Sequence, residues 1–113
     1  MDDMNVQNFQ NNLDERRQLL ADLQHLLEKQ IALAHQGDIT GVEYMAEQAN
    51  SLVEEVTQMH ILGCARFQNQ RIRLQELYES LTLAIAAHKE VVAENLNHLR
   101  KGRKTIKAYR SNT

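Results

Sequence analysis

With 113 residues, a formal net charge of −2 and 42% apolar residues, the chain is sized for one small domain and excludes an enzyme with a separate cofactor domain. Two Phe, three Tyr, no Trp and no Pro leave Leu, Ile, Val, Ala and Met to build the core, which favours packed helices over a β-sandwich. No apolar run approaches the roughly 20 residues that span a bilayer, the first turns are too polar for a secretory signal, and a lone cysteine, Cys64, offers no internal disulfide, so a cytoplasmic setting is expected.

The first helix is expected over about residues 5–36. Phe9, Leu13, Leu20, Leu23, Leu27, Ile31 and Ala34 recur at spacings near three and four, and Leu19, Leu26 and Leu33 add a flanking row seven apart. Arg16 and Gln30 interrupt this seam. The pattern stops at His35, Gln36, Gly37 and Asp38, where glycine supplies the left-handed backbone of a helix end and Asp38 or Thr40 opens the next helix. Thr40 and Glu43 stand at capping-box spacing. The second helix, about residues 40–62, carries Val42, Met45, Ala49, Leu52, Val56 and Met59 in alternating steps of three and four and should pack antiparallel on the first. Periodicity lapses between Gly63 and Gln70, which places a turn or kink there. The third helix, about residues 68–109, keeps Leu74, Tyr78, Leu81, Ile85, Val92, Leu99 and Ile106 on one face. The expected fold class is all-α: one domain over residues 1–113, an antiparallel three-helix bundle or coiled coil with a long C-terminal helix.

At 1.5 Å per residue the third helix would reach roughly 60 Å and the first roughly 45 Å, so two shorter helices cannot cover all of it. Its C-terminal turns, bearing Leu96, Leu99, Ile106 and Tyr109, are the apolar surface expected to lack an intramolecular partner. A partner protein or a second copy of the chain, giving a homodimer, would cover it. Charge is also segregated: residues 1–99 hold seven Lys/Arg against fifteen Asp/Glu, a balance of −8, whereas residues 100–113 hold six bases and no acid.

Catalytic constellations are sparse. His60 and Cys64 stand four apart and could share a metal ion on a continuous helix, but two further ligands are missing. His88 and Asn95 fall on the seam seven apart, where polar residues set helix register. Glu54 and Glu55 lack the Glu-x-x-His companion of a bundle-core di-metal site, and there is no glycine-rich phosphate loop and no nucleophile elbow. No enzymatic activity, cofactor or metal is expected. The acidic body would repel a nucleic acid despite the basic end, and Leu99, Ile106 and Tyr109 are too few to insert in a membrane, so neither is an expected partner.

The run LLEKQIALAHQGDITGVEYMAEQANSLVEEV at residues 26–56 and the end NLNHLRKGRKTIKAYRSN at residues 95–112 resemble the FlgN-type flagellar export chaperones and their FliT-like relatives. The likeness lies in a leucine-rich first helix, a Gly-Asp turn, a Glu-rich second helix and a last helix that ends basic and apolar with a tyrosine. It implies a cytoplasmic, non-catalytic chaperone of type III flagellar export that holds the C-terminal segment of a hook-associated or filament-cap protein, and that also meets export-gate or ATPase components. On that reading the docking face comprises Val92, Leu96, Leu99, Ile106 and Tyr109, with Arg103, Lys104 and Lys107 steering the cargo. The competing reading is a self-associating coiled-coil adaptor without secretion cargo.

Overall fold

The computed structural model describes the backbone of residues 2–87 and 97–110 and the side chains of residues 12–87 and 100–109. Within them lie α1 (Asp2–His35), α2 (Ile39–Gln58), α3 (Gln68–Ala86) and α4 (Asn97–Arg110), with a 3-10 turn at Ala65–Phe67 leading into α3. The chain is a helical bundle, as its periodicity predicts. Its main packing pairs are α1 with α2, α1 with α3, α2 with α4 and α3 with α4, which closes a four-sided arrangement around one core.

The hairpin of α1 and α2 follows directly from the seam. Leu13, Leu20, Leu23, Leu27 and Ala34 of α1 join Val42, Ala49, Val53 and Val56 of α2 in a single buried cluster. Each fully buried leucine there contributes about 2 kcal/mol. Gln30, which interrupts the seam, is fully buried, and its Nε2 donates to the Val42 carbonyl at 2.9 Å. That bond ties the C-terminal part of α1 to the first turn of α2 and helps to fix their register.

Both ends of the hairpin's helices close by the same device. After α1, the Asp38 amide donates to the Leu33 carbonyl and the Gly37 amide to Ala34, with Gly37 left-handed at φ 80°. Asp38 then caps α2, its Oδ1 accepting from the Gly41 amide at 2.9 Å. The helix therefore starts at Ile39 through Asp38, and Thr40, placed at capping-box spacing with Glu43, is the second residue of the helix rather than its cap.

After α2, the Ile61 amide donates to the Val56 carbonyl and the His60 amide to Thr57, but here a histidine occupies the left-handed position, at φ 56°. Ile61 and Val56, the two residues this motif brings together, are both fully buried. The second helix thus ends at Gln58 rather than near residue 62, because burying Ile61 and Leu62 outweighs the strain at His60. The break also removes His60 and Cys64 from a common helical face.

The segment that follows is an apolar plug. Ile61, Leu62 and Phe67 are all buried, and Arg71, itself buried in the first turn of α3, donates from Nη1 to the Leu62 carbonyl at 2.9 Å. α3 then carries Leu74, Leu77, Tyr78, Leu81, Ala84 and Ile85 into the core.

The largest departure from the sequence reading comes next. The third helix does not run to residue 109: α3 ends at Ala86 and α4 is a separate helix packed on α2 and α3. In one continuous helix Gly102 would stand roughly 36 Å from Tyr78 along the axis, yet the two are in contact. Folding back buries Ile106 completely, whereas a long straight helix would leave it in water.

The left-handed histidine gives a direct test. His60→Gly should raise stability by about 0.5–1 kcal/mol, the relief of strain exceeding the entropy that glycine adds to the unfolded chain. The readout is a higher urea midpoint at unchanged slope, and an unchanged or lower midpoint would contradict this account of the helix end.

Candidate functional site

α4 concentrates the features singled out in the sequence. Its 14 residues run as NHLRKGRKTIKAYR, without an acid. Arg100, Lys101, Lys104 and Lys107 are exposed and Arg103 is half-buried, so the outer side of the helix is cationic. Gly102 and Ile106 are buried, and Tyr109 is partly buried against the core. The spacing of four from Gly102 to Ile106 and three from Ile106 to Tyr109 places these residues on one face.

Glycine at position 102 lets the helix approach. A Cβ there would collide with the Tyr78 hydroxyl of α3 and stand 3.0 Å from Asn50 Oδ1 of α2. One helical stretch further on, a Cβ on Gly63 would meet the Tyr109 ring at 3.7 Å. The descending order Gly102 beside Asn50, then Tyr109 beside the turn after α2, shows that α4 runs in the same direction as α2 and opposite to α3.

Tyr78 is the polar weak point of this seat. The residue is 2% exposed, and its hydroxyl has no hydrogen-bond partner. Burial pushes the phenol well above its ordinary pKa, so it stays protonated across the working pH range.

These placements sort the eight residues expected to form the docking face. Lys104 and Lys107 are exposed and Arg103 half-exposed, as steering charges must be. Ile106 and Tyr109 are packed inward, which corrects the expectation of an uncovered apolar end: α4 finds its partner within the chain. Leu99 lies in the first turn of α4, its side chain outside the described residues, and Val92 and Leu96 lie outside them altogether. His88 and Asn95 do so too.

Gly102 is the residue that sequence reading missed. A lone glycine inside a helix costs about 1 kcal/mol relative to alanine, and that cost was the available signal of a close helix approach.

Elsewhere on the described surface, Tyr44, Ile72 and Leu83 are exposed singly, on α2 and α3. Among the described residues no group of three or more His, Cys, Asp or Glu is placed to hold a metal ion, and no helix is long and apolar enough to cross a membrane. Comparison with protein-family models, with curated proteins and with solved structures finds no match for this chain.

Two outcomes follow from the seat. Gly102→Ala should destabilise the fold by about 1–3 kcal/mol through overpacking on Tyr78, although the same change in an open helix stabilises. Amide exchange should quicken in α4 before it does in α1, and a stabilising effect would show that the approach is not close.

Stability should also fall as pH rises above about 10, by up to about 1.4 kcal/mol per pH unit, because the unfolded phenol loses its proton there and the folded one does not. Tyr78→Phe should abolish that slope in urea titrations and match or exceed the parent's stability at neutral pH.

Proposed function

We propose that this chain is a cytoplasmic export chaperone of the FlgN type, which holds the C-terminal segment of a hook-associated or filament-cap protein until export. The resemblance over residues 26–56 and 95–112 suggests the class. The observation that carries the reading is the seat of α4, an apolar groove between α2 and α3 shaped to take one amphipathic helix. A groove of that form accepts a disordered segment that folds as it docks.

The balance of forces at the seat supports exchange. Among the described residues of α4, Ile106 is the one fully buried apolar side chain, worth about 2–3 kcal/mol. Closing α4 over Tyr78 strands a hydroxyl, at about 1–3 kcal/mol. Displacement by a cargo helix that hydrogen-bonds Tyr78 is therefore within reach of ordinary binding energies. Arg103, Lys104 and Lys107 would remain on the displaced helix to steer acidic partners, including export-gate or ATPase components.

The test is co-expression with each hook-associated and cap protein of the same genome, intact and without its C-terminal segment. A complex with one intact cargo, lost on removal of that segment, is the expected result. Failure to bind any of them, with the chain recovered only as its own dimer, would replace this reading with the self-associating adaptor.

A further inference from the structure

The hairpin of α1 and α2 has a second apolar feature, a pair of rows that flank the core seam and pack against its edge. Leu19, Leu26 and Leu33 of α1 are half-buried, and so are Met45 and Leu52 of α2 and Met59 at its C-cap. Both rows repeat every seven residues, so each keeps to one line along its helix. The antiparallel packing brings Leu19 and Met59 together at one end, and the rows of Leu26 and Leu33 and of Leu52 and Met45 run back from there along the two helices. The result is a strip of about three heptad steps, roughly 21 Å long at 1.5 Å per residue.

At one end the strip opens into a groove of about 500 Å³, lined by Glu15, Gln18, Leu19, Glu55, Gln58 and Met59. Leu19 and Met59 form its apolar floor, and a carboxylate stands on each wall, one from either helix. The neighbouring acid Asp14 is paired with Arg17 at 3.7 Å and Asp22 accepts from Gln18 at 2.8 Å. Glu15 and Glu55 belong to no ion pair among the described residues.

We propose that this strip is a docking surface for a cationic amphipathic helix of a partner protein, one with Leu, Ile or Met spaced three and four apart and Lys or Arg along its flanks. The charge of the surface selects the occupant. Residues 12–58 hold nine Asp/Glu against three Lys/Arg, so an acidic helix, a nucleic acid and an anionic membrane are all repelled. A second copy fits poorly: its described cationic helix is α4, whose Ile106 is already buried within its own bundle, leaving a charged face without an apolar ridge. The partner helix places its ridge between the two rows, as a third strand lies on a two-stranded coiled coil, and its bases reach Glu15 and Glu55. This surface is separate from the seat of α4, and the proposal stands whether or not the chain serves export.

The probes are two fluorescein-labelled helical peptides of about 18 residues, about five turns, with the same leucine ridge and either lysine or glutamate flanks. Fluorescence anisotropy with the full chain should show binding of the lysine peptide, weakening as NaCl rises from about 50 to about 300 mM, and none of the glutamate peptide. Glu15→Lys with Glu55→Lys, both on the surface, should weaken the lysine peptide about tenfold or more with an unchanged melting curve. Met59→Gln should weaken it independently of salt. Equal binding of the two peptides, no binding of either, or indifference to the double charge reversal would each overturn the proposal. Cargo capture at the seat of α4 is read separately, in the co-expression assay, so either idea can fail alone.

Discussion

The bundle depends on the reversal between α2 and α3. Nine residues turn the chain without proline, using a left-handed histidine where glycine is the usual choice. What holds that conformation is burial: Ile61, Leu62 and Phe67 fill the base of the core, and the Arg71 guanidinium ties the Leu62 carbonyl to α3. The same turn places Gly63 beside the Tyr109 ring, so the end of α4 rests on it. Direction of α3, position of α4 and closure of the core all follow from this segment, whose polar backbone is satisfied by short-range bonds from Cys64 to Ile61 and Phe67 to Cys64.

The charge segregation along the sequence acquires a meaning once α4 is folded back. A helix with six bases lies on a body whose first 99 residues carry a balance of −8, so once α4 is folded back the opposite charges lie close enough to add a diffuse attraction to its seat. Bases in its final turns also suit the negative end of the helix dipole. Against these terms stands the Tyr78 hydroxyl, left without a partner beneath Gly102. Among its described side chains the helix is thus seated by one deep isoleucine, a half-buried tyrosine and diffuse charge, while the hairpin of α1 and α2 is welded by rows of leucine and valine. Within one fold the two halves are held by different physics.

That difference explains what could be read from the sequence. Leu20, Leu23, Leu27, Val42, Ala49 and Val56 follow helical periods without ambiguity, and Gly37 with Asp38 signals the turn between them. The end of α2 was hidden because no composition rule marks His60 as left-handed; Gly63 attracted the turn instead. The break after Ala86 was hidden more deeply. The stretch Leu81 to Leu99 contains neither glycine nor proline, and its apolar residues continue the face of α3, so local pattern favours one long helix. Among the described residues, the gain from burying Ile106 and packing Tyr109 against distant residues favours the break, and that term does not exist until the tertiary structure does. The assignment of Ile106 and Tyr109 to an open face failed for that reason, whereas the exposure of Lys104 and Lys107 follows from their charge alone, since their solvation needs no partner.

An acidic hairpin and a basic helix in one chain invite polymerisation, the helix of one copy meeting the hairpin of the next. Such a contact would be heterologous and would not close on itself. Two features of the fold oppose it. Among the described residues, the outer face of α4 offers charge without an apolar ridge, and an exposed ion pair held at the surface is worth at most about 1 kcal/mol. At physiological salt the screening length is about 8 Å, so the attraction fades before the copies align. Packing Ile106 inward therefore does two things with one side chain: it completes the core, and it removes from the cationic helix the apolar anchor that self-association would need. A partner that brings its own ridge as well as its own bases escapes both limits, and the hairpin surface discriminates in its favour.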